Sequence, residues 1–189
     1  MWKKLKFVTS NSDKVREASD ILECSLDQVS GLSIDEIQAS DIKEIVTHKA
    51  QQAFDELRCP VLVEDSGLSF TAWNGLPGPL IKCFEISVGC PGLLKMLEGF
   101  ENREAFAICV AVVFDGQKML LSRGERRGKI ARSIRGENGF GWDVIFIPEH
   151  HEKTFAEMNF NEKNAISHRR MAFEKLNIKI KKARFVNRV

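Results

Sequence analysis

A mixed α/β fold is what three observations in this 189-residue chain predict. A short β-rich run, Leu5 to Thr9, passes through the polar turn Ser10 to Asp13 into apolar residues at helical spacing. A weak strand, a second amphipathic helix and a strongly apolar strand at Val61 follow, and this alternation marks an α/β sheet with parallel strands. Further on, the apolar run Ala105 to Phe114 and the segment Lys118 to Ser122 flank Asp115-Gly116. That dipeptide is a hairpin signal, so antiparallel pairs join the parallel ones.

The elements follow in order. Val15, Ala18, Ile21 and Leu22 share one helical face, as do Ile42, Ile45, Val46, Ala50, Ala53, Phe54 and Leu57, whose helix Pro60 closes. Asn74 to Pro79 (NGLPGP) is rich in breakers and reads as a structured loop. Leu93, Leu94, Met96 and Leu97 predict a short helix ending at Gly99. Lys129 to Ala131 and Val144 to Ile147 predict short strands, and one final helix carries Ala165, Ala172, Phe173 and Leu176. With no repeat and no linker, residues 1–189 read as a single domain.

Composition narrows the class. With 43% hydrophobic and 29% charged residues, the chain reads as a soluble globular protein. Its 28 basic and 26 acidic residues leave +2, which argues neither for nor against a polyanionic partner. The basic end, Lys179 to Arg188, lacks an aromatic stacking platform and reads as a solvated tail, so no nucleic-acid partner is expected. Five cysteines without a C-x-x-C pair read as reduced thiols, mostly core fillers, of a cytoplasmic protein. The start, MWKKLKFVTS, does not read as a signal peptide, and no run approaches the roughly 18 apolar residues of a membrane span.

Four segments carry candidate chemistry. In TSNSDK, Thr9 to Lys14, backbone N–H groups at a helix start and the Lys14 charge suit a phosphate. Ordinary capping by Ser12 or Asp13 explains the same residues. Glu64 and Asp65 end an apolar strand, where adjacent side chains point to opposite faces, so one of them faces a cleft and they do not act side by side. Glu36 is a companion for holding Mg2+ with substrate phosphates, or a solvated loop acid. GFGWDVIF, Gly139 to Phe146, combines glycines, aromatics and an acid in a way that suits a nucleobase; a β-bulge with core aromatics is the alternative. In EKNAISHRR, Lys163, His168 and Arg169 do not share one face of a regular helix. Lys163 must therefore lie at or before a helix start if all three meet one ligand, with Ser167 a cap. A solvated face is the plain reading of Lys163 or Arg169 alone, as of Lys49 and Lys82, and a surface or helix-end residue that of His168. His48, His150 and His151 read as surface residues.

In this order FVTSNSDK, EIQ, VLVEDSGL, GLPGPLIK, GFGWD, TFAEM and EKNAISHR resemble the inosine triphosphate pyrophosphatase family over roughly Phe7 to Leu176. The resemblance implies hydrolysis of ITP, dITP and XTP to the monophosphate and pyrophosphate, which removes non-standard purines from the nucleotide pool. It implies an elongated mixed sheet flanked by helices in two lobes with the active-site cleft between them, and commonly a homodimer. Asp65 matches the family's essential acid, which binds metal and activates water, and Glu36 its second metal carboxylate, for Mg2+ or Mn2+. Thr9, Ser10, Asn11 and Lys14 match the triphosphate loop; Ser10 stands where many members have glycine. Lys49, rather than His48, matches a phosphate-binding lysine, Lys82 the lysine after LPGP, and Ser66 the residue beside the acid. Phe140, Gly141, Trp142, Asp143, Lys163, His168 and Arg169 match the base pocket. A purine-nucleotide-binding module without catalysis is the alternative; Asp65 and Glu36 together favour the enzyme.

Overall fold

In the computed structural model, which describes residues 5–35 and 37–183, the predicted alternation resolves into seven strands and six helices among the described residues. These are β1 (Lys6–Val8), α1 (Ser12–Ile21), β2 (Asp27–Val29), α2 (Ile42–Leu57), β3 (Val61–Phe70) and β4 (Pro77–Gly78). There follow α3 (Ile81–Ser87), α4 (Gly89–Met96), β5 (Glu104–Phe114), β6 (Met119–Ile130), β7 (Phe146–Pro148), α5 (Phe160–Ile166) and α6 (His168–Ala183). The strands form one sheet in the order β2-β1-β3-β5-β6-β7, with β4 paired to β3. β1 runs parallel to β2 and β3, whereas β3–β4 and β6–β7 are antiparallel, so the sheet is mixed as expected.

The chain gathers into two compact units. The first holds the described residues through Asp65, Cys109–Gly124 and those from Arg169 onward; the second holds Ser66–Ile108 and Glu125–His168. In the first, Ala18 of α1 and Ala172, Phe173, Leu176 and Ile180 of α6 pack on Phe7, Leu62 and Ala111 of β1, β3 and β5. The core of the second joins Leu68 and Phe70 to Leu93, Leu97, Ile145, Phe146 and Phe155. Alternation along β5 feeds both, with Ala105 and Ala107 in one core and Cys109, Ala111 and Val113 in the other.

Several elements differ from expectation for identifiable reasons. α3, IKCFEIS, has no counterpart in the sequence reading, because seven residues are too few to display a helical period. The two short strands expected at Lys118–Ser122 and Lys129–Ala131 are parts of the single β6, whose polar middle, RGERRG, looks like loop. Cross-strand charge makes it strand: Arg127 pairs with Glu104 of β5 and with Glu149. The final helix is two, interrupted at Ser167, which has extended backbone (φ −69°, ψ 154°) and is fully buried. Part of the basic end is ordered helix: Lys179 on α6 donates to the Leu121 carbonyl at 2.6 Å, and residues 184–188 lie outside the described part. All five cysteines are free thiols; Cys109 is fully buried in one core, Cys24 and Cys90 are half-buried and pack against the two cores, and Cys83 is exposed, so core filling holds for three of the five. No described helix is long and apolar enough to cross a membrane.

Candidate active site

The turn from β1 into α1 is built by Asn11. Its Oδ1 accepts from the N–H groups of Asp13 (2.8 Å) and Lys14 (3.3 Å), and its own N–H donates to Thr9 Oγ1 at 3.2 Å. The cap is therefore Asn11, not Ser12 or Asp13, and three N–H groups that the sequence offered to an anion are taken by the loop's own side chains. Thr9 is fixed to β2 in turn, donating from its N–H to the Val29 carbonyl at 3.0 Å and accepting from Gln28 Nε2 at 3.0 Å. Thr9 and Ser10, with Ser30 and Gly31 beyond β2 and Lys49 from α2, line a cleft of about 100 Å3. Lys49 and the Thr9–Ser10 turn thus line one cleft, and His48 is half-buried rather than at the surface.

Beside this turn lies a chain of alternating charges. Glu17 of α1 pairs with Arg169 at the start of α6, and Arg169 Nη2 stands 3.3 Å from Glu64 Oε2. Glu64 Oε1 is 2.7 Å from Lys14 Nζ, which is also 3.5 Å from Asp65 Oδ1. Glu17, Arg169 and Glu64 are buried, while the Asp65 side chain is 30% exposed. Cys109 of β5 donates its thiol to Glu64 Oε2 at 3.1 Å. The two acids do project differently, yet Lys14 touches both, so they share one cation instead of acting apart. Burial opposes the charge on Glu64, but Arg169 and Lys14 outweigh it and hold its carboxyl well below the usual range. Burial likewise pushes the Cys109 thiol well up, aided by Glu64, so it is a donor and not a nucleophile at neutral pH. For Arg169 and Lys14 burial favours the neutral form, and the surrounding carboxylates reverse that and raise both.

Two residues of this network were not expected at a site: Glu17 was not singled out, and Cys109 was read with the other cysteines as a core filler. Glu17 had one signal: it lies three residues after Lys14 on α1, the spacing that puts both on one helix face. Cys109 had none, since a cysteine in an apolar run is indistinguishable from core.

The second unit assembles most of the expected base-pocket residues. Gly141–Val144 is a 3-10 turn, not a bulge, and Asp143 closes it by accepting from the Phe140 N–H at 2.9 Å. The same Asp143 oxygen lies 2.5 Å from Lys163 Nζ, both side chains being buried. Gly139 (φ +72°) admits this carboxylate: a Cβ there would meet Asp143 Oδ2 at 2.3 Å. Lys163 lies in the last turn of the short α5, before α6 begins, with its ammonium 4.6 Å from the Phe140 ring centre. Trp142, expected on a stacking surface, is 8% exposed and packs edge-on against Phe146. His168 lies 5.3 Å from Trp142 and stacks on Phe155 at 6.2 Å. Phe140, half-buried, is the aromatic of this segment that remains partly at the surface. Cys90 donates to the Gly141 carbonyl at 3.8 Å; burial, with Glu85 and Asp143, pushes its thiol up to about 11.

Ser66 is half-buried on β3, and Lys82 is exposed in the first turn of α3. The loop before α3 is held through β4, in register Leu68↔Gly78 and Ser69↔Pro77. Gly67 permits that approach, because a Cβ at this position would lie 2.9 Å from the Gly78 backbone.

Glu36 lies outside the described residues, and among those described no cluster of three or more His, Cys, Asp or Glu side chains is arranged to hold a metal. Asp65 alone can be tested for fit. Its partly exposed carboxylate is a hard oxygen donor, and Mg2+ needs only one or two such groups beside substrate phosphates and water.

Similarity to known proteins runs the length of this framework. Residues 5–179 match the model of the Ham1 family. An inosine triphosphate pyrophosphatase of Scheffersomyces stipitis is 44% identical over 184 residues, covering 90% of this chain and 94% of the relative. A dITP/XTP pyrophosphatase of Methanopyrus kandleri is 43% identical over 175 residues, 91% and 93% of the two chains. Among solved structures, a HAM1 protein from Coxiella burnetii superposes with a TM-score of 0.81 at 30% identity, over 94% of this chain and 99% of that one. Match length, identity and fold agree: the chain belongs to the Ham1 family.

Proposed function

We propose that this protein hydrolyses non-standard purine nucleoside triphosphates, ITP, dITP and XTP, between the α and β phosphorus atoms. Water and the triphosphate give the monophosphate and pyrophosphate. The observation that carries this reading is the juxtaposition of Lys14 and Asp65 at 3.5 Å. It pairs a phosphate-binding cation with a partly exposed acid in a chain of the Ham1 family. The names of the relatives, inosine triphosphate and dITP/XTP pyrophosphatase, supply the substrate class.

Asp65 orients the attacking water and takes its proton, because water is a poor nucleophile unaided. Asp65 and Glu36 would hold Mg2+, which would supply Lewis-acid polarisation of the phosphates. Thr9, Ser10 and Asn11 orient the triphosphate with Ser66 beside Asp65, and Lys14, Lys49 and Lys82 stabilise the charge that gathers on the departing pyrophosphate. Phe140, Gly141, Trp142, Asp143 and Lys163 shape the base site, and the family resemblance supports a homodimer. His168 and Arg169 present donors to a purine 6-oxo group. Adenine offers a donor at that edge and leaves a buried donor unmet, a cost of about 1–3 kcal/mol per group.

The test is a panel of nucleoside triphosphates incubated with Mg2+ and scored separately for pyrophosphate and phosphate. ITP and XTP are expected to yield pyrophosphate while ATP yields little. Release of phosphate from ITP, or no turnover of it, overturns the reading.

A further inference from the structure

A buried carboxylate is costly to keep charged, and a well-packed apolar residue in its place is often as stabilising or more so. Glu64 is nonetheless completely buried, with each oxygen facing a different cation. Oε1 meets Lys14, which comes from α1, and Oε2 meets Arg169, which comes from α6. Cys109, on the neighbouring strand β5, adds a hydrogen bond to Oε2 and so fixes which oxygen serves which cation. Stability alone does not require this arrangement. Resting on the function proposed above, where Lys14 serves the phosphates and Arg169 the base, we infer that Glu64 is a positioning residue for both ends of the nucleotide. One carboxylate bridges the two cations, so triphosphate binding and purine discrimination depend on the same side chain.

Glutamine at this position has nearly the same shape but only one acceptor; its NH2 faces a cation with a donor. Glu64→Gln, assayed in the 189-residue chain with Mg2+, is expected to raise KM for ITP about tenfold or more. It is also expected to lower the ITP over ATP ratio of kcat/KM by about tenfold or more. A purely structural role moves neither quantity in the folded fraction and shows only as a lower melting temperature. Unchanged KM and ratio, with wild-type protein turning over ITP, overturn this inference and leave the proposed function standing. Wild-type protein that does not hydrolyse ITP removes both. Should Glu64→Gln fail to fold, Cys109→Ala loosens the same carboxylate without removing a charge. It is expected to shift both quantities in the same direction by about twofold, with Cys109→Ser, which keeps a donor, shifting them less. If neither quantity moves in Cys109→Ala, the inference is equally overturned.

Discussion

The two units solve the problem of burying polar groups in opposite ways. In the first, Glu17, Arg169, Glu64, Lys14 and Asp65 form a run of alternating charges across α1, β3 and α6, and each depends on the next. In the second, one ion pair, Asp143 with Lys163, sits among aromatic rings, and Asp143 spends the same oxygen on a backbone N–H. A charge chain transmits the loss of one member to the rest, whereas an aromatic setting confines it to local packing. The first unit is therefore the more sensitive to single changes of charge.

Substitutions at Asp65, Arg169, Phe140 and Asn11, together with one titration, probe that contrast. The largest effect is expected from Asp65→Asn, which lowers ITP turnover about 10²–10⁴-fold. Because the group is partly exposed, the melting temperature should hardly move; pyrophosphate release near the wild-type rate removes Asp65 from the reaction. Arg169→Ala strands Glu17 and Glu64 without their shared cation and should cost about 3–5 kcal/mol in chemical denaturation. It therefore cannot be a pure specificity mutation, and wild-type stability would show that the chain is not coupled. In the second unit, Phe140→Ala should weaken IMP binding by about 1–3 kcal/mol in calorimetry, the worth of one stacked base, with little loss of stability. An unchanged affinity would take the half-buried ring out of the base site.

The titration follows from Glu64. Its folded carboxyl lies below its ordinary value of 4.5, since Arg169 and Lys14 override the opposing effect of burial. A depressed folded value means the stabilisation is complete above the unfolded value and is lost as pH falls toward the folded one. Denaturation midpoints should therefore drop between about pH 6 and about pH 3, and drop less in Glu64→Gln; equal slopes would deny Glu64 this role. The smallest effect separates two functions of Asn11. Asn11→Ala loses the cap and about 1 kcal/mol, whereas Asn11→Asp keeps the cap but sets a negative charge beside the phosphates. KM for ITP should rise in Asn11→Asp at nearly unchanged stability; an unchanged KM in that variant would make Asn11 a cap only.

The strand and helix order, the Asp115-Gly116 hairpin and the mixed sheet were legible because periodicity and turn chemistry are local properties. The loop NGLPGP was legible for the same reason. β6 was not, because cross-strand pairs such as Arg127 with Glu104 decide that a charged segment extends. Nor was the break at Ser167, where a small polar residue sits within an otherwise helical run. For the site, the sequence by itself determined which residue types are present and the order in which they come along the chain. Only the tertiary structure decided their partners. Trp142 went into the core, Asn11 became the cap, and Lys14 came to lie against both Glu64 and Asp65. The physical reason is distance along the chain: the hydrogen bonds and ion pairs that define Glu64 join residues 45, 50 and 105 positions away, where no local pattern records them.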